Sequence, residues 1–211
     1  MEIIWHGYAC FEIVSGAYSL VLDPYRAGTN AGFPALDVEA DEVLCSHDHD
    51  GHGAAAAVRL RAPGKPSPFE IETLTTHHDV LQGRLRGENL VRILRAEGLK
   101  LVHLGDLGRP LTGAELELIS GADALMVPIG GILTIEPYAA YRLCRDAAPR
   151  LVLPMHYNVG GGSRRLRRRE EFTSLFEPEE LAYSDSHRLT LTAEQRPDRL
   201  VLMLTPPWGS A

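Results

Sequence analysis

The stretch CSHDHDGH, Cys45 to His52, sets three histidines and two aspartates into eight residues of a chain that holds nine histidines in all. Solvent exposure does not ask for this grouping. Solvated charge runs are built from Lys and Glu, and imidazole is neither strongly charged at neutral pH nor easily buried without a partner. A metal ion does ask for it. His47 and His49 stand two residues apart, so an extended backbone points both rings to one side, while His52 falls where the chain can turn into a helix. The plain alternative is a polar turn after a strand.

Working outward, the chain alternates strand and helix patterns. Strands are expected at Ile3–Trp5, Phe11–Val14, Ser19–Leu22, Glu42–Ser46, Ile71–Thr75, Asn89–Arg95, Lys100–His103, Ala124–Val127 and Arg150–Leu153, with a C-terminal pair near His187–Thr192 and Arg199–Leu204. Thr112 and Glu115 spell a capping box opening a helix over Ala114–Ser120, closed by Gly121. Thr134 is expected to cap a helix over Pro137–Asp146, and Glu170–Phe176 reads as a third. On this map TTHHD (Thr75–Asp79), HLGD (His103–Asp106) and PMHY (Pro154–Tyr157) each set a potential ligand just beyond a strand. Loops at strand ends are where α/β scaffolds gather functional groups. A His and Asp cluster without Cys suits Zn, Mn or Fe, in a catalytic centre better than in a closed structural one.

Composition narrows the classes. The 211 residues read as one domain, 1–211, with no repeat, low-complexity tract or linker, and a chain of this size buries roughly 70 per cent of its unfolded surface unaided. Cys10, Cys45 and Cys144 are odd in number and widely spaced, which supports neither a disulfide framework nor a Cys-rich zinc finger and points to a reducing cytoplasm. MEIIWHGYACFEI lacks the order of a signal peptide, and no apolar run reaches the ~18 residues of a membrane span. A formal charge of -7 and a pI near 5.7 argue against a general nucleic-acid binder. The local exception is RRLRRR, Arg164 to Arg169, read as a solvated helix face with a phosphate or dimer contact as the alternative.

SHDHDGH resembles the HxHxDH signature of the metallo-β-lactamase fold superfamily, and His78, Asp106 and His156 follow in that superfamily's order. WHGYACFEI, LVLDPY, HHDVLQGRLRGEN, HLGDLG, VPIGG and LPMHY, spanning residues 5 to 157, extend the likeness to small metal-dependent hydrolases related to L-ascorbate-6-phosphate lactonase. The resemblance implies a four-layer αββα sandwich of the α/β class with its site along one edge of two facing sheets. It also implies that His47, His49 and His78 hold one metal, that Asp106 bridges two, and that His52 and His156 belong to the second. His78 matches the family's His-Asp-then-Gly pattern through Asp79 and Gly83, which leaves His77 to pack nearby.

Two departures fall close to these ligands. Where HxHxDH carries its Asp this chain has Gly51, and the acid stands one place earlier as Asp50. A one-residue shift turns a side chain by about 100° in a helix and to the opposite face in a strand. Either the second position is therefore weak, and Gly51→Asp would strengthen it, or a positive φ at Gly51 swings Asp50 inward as a ligand. Tyr8 stands where many relatives have the His of a Gly-His pair, and His6 has no assigned task.

The chemistry expected of such a centre is hydrolysis. A metal-bound water loses a proton near neutral pH, so no Ser or Cys nucleophile is needed. Asp106 would orient the resulting hydroxide, and Asp50 or Asp79 could accept a proton. Substrates in range are small-molecule esters, lactones, amides and phosphodiesters. Arg86 and Asn89 could position an anionic group, with a loop salt bridge as the alternative. Asp23 reads as a turn residue or a support for a ligand, His103 as a core histidine, His187 as a surface or packing one, and Gly130–Gly131 as a tight turn or a close approach to the site. A metal-binding protein with weakened catalysis and an iron-dependent redox enzyme stay open as alternatives, as does a homo-oligomer.

Overall fold

A computed structural model describes residues 1–29, 33–160, 166–195 and 200–208. The first strands, β1 (Glu2–Gly7), β2 (Cys10–Ser15) and β3 (Tyr18–Leu22), form an antiparallel meander in which Ile3 faces Ile13 and Trp5 faces Phe11. All four of those side chains are buried, as is Leu20, so the alternation seen in the sequence is the core face of this sheet. Next come β4 (Glu39–Ala40), β5 (Glu42–Leu44) and β6 (Arg59–Leu60). β5 adds to β3 in parallel, and β4 pairs with β6 as a separate ribbon.

The second sheet opens with β7 (Glu70–His77), β8 (Glu88–Ala96) and β9 (Leu99–His103), again antiparallel. The chain then passes through α1 (Gly113–Ile119), β10 (Ala124–Pro128), α2 (Pro137–Ala147) and β11 (Val152–Met155). β10 is buried along its whole length and runs parallel to β9 and β11, as the unbroken apolar run ALMVP requires. After α3 (Glu170–Thr173) the last strands are β12 (Leu181–Tyr183), β13 (Arg188–Thr190) and β14 (Val201–Met203). β13 joins the outer edge of β1, giving the order β13-β1-β2-β3-β5, and the other two complete the order β12-β14-β11-β10-β9-β8-β7. One continuous core lies between residues of both sheets, with Trp5, Phe11, Leu101 and Met126 among its buried members.

Some expected details change. The box at α1 is present, with Thr112 accepting from the Glu115 N–H and Glu115 from the Thr112 N–H. Thr134 does not cap α2: Glu136 holds that position without a side-chain bond, and Pro137 starts the helix because its fixed φ needs no donor there. Helix α3 is shorter than Glu170–Phe176, and the strand expected over Arg150–Leu153 begins at Val152. Arg199, at the start of the last expected strand, lies outside the described residues.

Glu115 also meets Arg109 at 2.7 Å, and this pairing, set against a smaller effect of burial, lowers its carboxyl from 4.5 to about 2. A depressed folded-state value contributes stability above the unfolded value that is lost as pH falls through the folded one. Thermal melts should therefore show a contribution from Glu115 at pH 6 that fades between about pH 4.5 and 2. Glu115→Gln should lose less than about 2 kcal/mol at pH 6 and leave the melting temperature flatter across the acid range.

Candidate metal centre

Each ligand-bearing segment leaves the C-terminal end of a strand: Cys45–His52 follows β5, His78 follows β7, Asp106 follows β9 and His156 follows β11. The loops close on one another because glycines let them touch. A Cβ at Gly105, which holds a left-handed φ of +55°, would overlap Asn89 and Ser46, and one at Gly108 would overlap the His78 backbone. The first loop turns sharply, with the His52 and Gly53 N–H groups both donating to the His49 carbonyl.

Asp106 is the hub. Its Oδ2 lies 3.1 Å from His52 Nε2, 3.2 Å from His78 Nε2 and 3.9 Å from His47 Nε2, and its Oδ1 lies 3.3 Å from His156 Nε2. Among the described residues, His47, His49 and His78 form one trio with ligand atoms mutually within 4.8 Å, and His47, His52 and Asp106 form another. Asp106 Oδ1 and the Nε2 atoms of His47, His52 and His156 are buried without a hydrogen-bond partner. Buried polar atoms are seldom left so, and here the three unpartnered nitrogens all lie within 3.9 Å of one point, the Asp106 carboxylate.

The charges agree with a cation at that point. Burial would raise the Asp106 carboxyl, but His156 and His52 hold it well below the usual range. Burial likewise works against a charge on His52, yet Asp106 and Asp23 at its two nitrogens raise it to about 10. Two buried carboxylates thus call for positive charge between them. Burial and the His52 charge push His47 down to about 3, so it presents a neutral ring, the form that binds metal.

A second layer aims these rings. Asp23 accepts from the Ser46 N–H at 2.6 Å, from the Ser46 hydroxyl at 2.6 Å and from His52 Nδ1 at 2.8 Å. Ser46 Oγ in turn accepts from His47 Nδ1 at 2.9 Å, which leaves both Nε2 atoms to face Asp106. On the far side Asn89 accepts the Asp106 N–H at 2.7 Å and donates to Thr76 and to the Leu104 carbonyl. Partners of this kind fix ring orientation and tautomer in metal sites. Asp23 is therefore more than a turn residue. Ser46 was not singled out from the sequence, though a hydroxyl directly before the first ligand His was the available signal.

The sequence family described as the beta-lactamase superfamily domain matches residues 2–156, which include every segment of this cluster. The chain belongs to the metallo-β-lactamase superfamily of metal-dependent hydrolases. A UPF0173 metal-dependent hydrolase of Thermoplasma volcanium is 30% identical, over 75% of this chain and 84% of its own. A metallo-beta-lactamase superfamily structure from Thermotoga maritima is 31% identical, with a TM-score of 0.72 over 96% of this chain and 97% of its own. A metallo hydrolase from Ignicoccus hospitalis, 20% identical over 82% of this chain and 89% of its own, shares the fold with a TM-score of 0.61.

Against the superfamily's pattern, the structure sorts the remaining expectations. Asp50 is not drawn inward. Its carboxylate is more than half exposed and meets Arg26 at 3.2 Å, its carbonyl accepts the Arg26 N–H, and Gly51 does not take the positive φ that would swing it round. Asp79 is not a free base either, because its two oxygens accept four backbone N–H groups, from Leu81, Gly83, Leu85 and Arg86, at 2.7 to 3.1 Å. These bonds outweigh burial and keep it ionised, and its task is to fold the loop after His78. Asn89 is fully buried, with its amide committed to Thr76, the Leu104 carbonyl and the Asp106 N–H. His103 is a satisfied core histidine, bonded to the Ala9 carbonyl and the Gly105 N–H.

His77 accepts from Arg109 Nε at 3.2 Å, His6 pairs with Glu12 at 3.1 Å, and His187 meets Arg188 at 3.2 Å. Gly130 closely approaches the His156 carbonyl. Of the arginine run, Arg164 and Arg165 lie outside the described residues, while Arg167 pairs with Glu136 and Glu171, and Arg168 and Arg169 with Glu170.

Proposed function

We propose that this chain is a single catalytic domain whose His47, His49 and His78, with Asp106, hold one divalent ion that serves hydrolysis of a small-molecule ester, lactone, amide or phosphodiester. The observation that carries the reading is the set of buried, unpartnered ligand atoms gathered around Asp106. Neutral imidazole with carboxylate suits zinc first, and manganese or iron next. The description of the Thermotoga maritima neighbour also names zinc. A divalent ion in this setting supplies Lewis acidity and activates water near neutral pH.

The residues of the chain do the rest. Asp106 offers a carboxylate beside the reacting centre, and its charged state suits it to accept a hydrogen bond from the attacking water. Ser46, Asp23 and Asn89 keep the ligand geometry fixed while substrate enters from the exposed His49 side. Burial, with the nearby Asp23 charge, pushes the Cys45 thiol up to about 11, which makes it a poor nucleophile and favours direct attack by water. The loop built on Asp79 presents exposed Val80, Leu81 and Leu85 together with Arg86, whose positive charge acts on His49. A substrate with an apolar part and an anionic group fits that rim. Three free cysteines support a reducing cytoplasm, and among the described residues no helix is long and apolar enough to cross a membrane.

Gly51, which removes a potential ligand, favours a second reading in which the protein binds metal but turns substrate over poorly. Elemental analysis and a panel of lactones, phosphodiesters and β-lactams separate the two. The purified protein should carry one equivalent of metal, and His49→Ala should strip most of it along with any turnover. Metal content unchanged by that substitution would sink the assignment, and tight metal with no turnover on the panel would favour the second reading.

A further inference from the structure

Tyr8 and Gly51 face each other on the closed side of the cluster. Gly51 is buried, and a Cβ built on it would lie 2.8 Å from Tyr8 Cε1, closer than unbonded carbon atoms approach. The same ring lies 4.2 Å from the His156 ring and 5.0 Å from the His52 ring, centre to centre. His52 and His156 are almost fully buried, whereas His49 on the other side is exposed.

The ring is held where it is. Tyr8 adopts φ +55°, which a tyrosine rarely takes unless its surroundings impose it. Its carbonyl accepts the His156 N–H at 3.0 Å and the Trp5 indole N–H at 3.1 Å. Phe33 backs it edge-on at 6.1 Å and itself rests on Trp208 at 4.8 Å. An ion between His52, Asp106 and His156 would have three donors from the chain and need at least one more. Position 51 is next to His52, and the space through which it could offer that donor is the space the ring fills.

We infer that Tyr8 limits the centre to one metal ion, with Gly51 as its steric complement: the aromatic ring occupies the volume that a side chain at position 51 would need in order to complete a second position. The inference rests on the metal centre proposed above and adds to it which residue sets the stoichiometry. It reverses one expectation from the sequence. Gly51→Asp alone gains no second ion, because its carboxylate has no room while the ring stays.

The test is zinc titration of metal-free protein by calorimetry, with elemental analysis after gel filtration. It compares the parent, Gly51→Asp, Tyr8→Phe, Tyr8→Gly and the double variant Tyr8→Gly/Gly51→Asp. Glycine suits the left-handed backbone at position 8. One ion is expected for the parent, Gly51→Asp and Tyr8→Phe, and two for the double variant. Melting temperatures of the metal-free proteins give a second readout: Gly51→Asp should lower the melting temperature of the parent more than it lowers that of Tyr8→Gly. Two tight ions in the parent, a second ion gained by Gly51→Asp or by Tyr8→Phe, or a folded double variant that still binds one would each overturn the inference. So would equal melting-temperature losses on the two backgrounds if the double variant were too unstable to titrate. No metal in the parent would overturn this inference and the proposed centre together, while one ion in both parent and double variant would overturn the role of Tyr8 alone.

Discussion

Asp106→Asn is expected to empty the proposed metal centre and to lower hydrolysis by more than about a hundredfold, beyond the 10–100-fold typical of losing an outer-layer partner. The reason is position and charge. Asp106 is within 3.3 Å of three imidazoles, and it is the anion that their cluster surrounds. An amide keeps the shape but removes the negative charge and turns one acceptor into a donor. Its NH2 group would face ring nitrogens or a cation, and the bond that its own backbone N–H donates to Asn89 Oδ1 would still hold it there. Elemental analysis of the purified variant and a zinc titration check the result. Binding within tenfold of the parent would show that the carboxylate is not a ligand.

The second large effect is at Asp23, which touches no candidate metal position. Asp23→Ala should weaken zinc binding by about 10–100-fold and lower stability by about 3 kcal/mol, because it leaves a charged ring and two donors buried without their acceptor. Ser46 loses both of its bonds to Asp23, and His52 loses the bond that fixes its Nδ1 proton. The two losses can be read separately, by thermal melts of metal-free protein and by titration of the folded fraction. A variant destabilised but unchanged in zinc affinity would make Asp23 a fold residue and no more.

The difference between Asp106 and Asp23 also marks what a sequence of this kind discloses. That His47, His49, His52, His78, Asp106 and His156 gather in one place was legible because metal chemistry restricts residue type, and strand ends restrict place. Asp50 was not, since its direction depends on a turn in which one residue reverses the outcome; the turn closes on His49 and sends the carboxylate to Arg26. Asp79 looked like a spare base because an acid beside a ligand resembles one, although the glycine four residues on hinted at a loop wrapped around its side chain. Asn89 and Ser46 find their partners across strands that are distant in sequence, and pattern reading has no access to such pairings. The Tyr8 and Gly51 contact is of the same kind: both departures were visible, but not that they are one event. The fold was readable from alternation in β1 to β3 and from the buried run in β10. The start of α2 was misread because Pro137 needs no hydroxyl in front of it.

The placement of β13 bears on how the molecule is made. β1 leaves the ribosome well ahead of β13, and one of its edges is met at once by β2, while the other waits for Arg188 to Thr190. Until Arg188 to Thr190 emerge, that edge is an open template, with Ile3 and Ile4 on a strand that can pair with any extended neighbour. Only when that segment arrives does Leu189 settle beside Ile3 and the Leu191 N–H reach the Met1 carbonyl, so that β1 is sealed by residues made long after it. Closing so long a loop is slow. A protein stopped short of residue 188 would keep every candidate metal ligand, His156 being the last of them, yet expose the outer edge of β1 and, without β14, an edge of β11 as well.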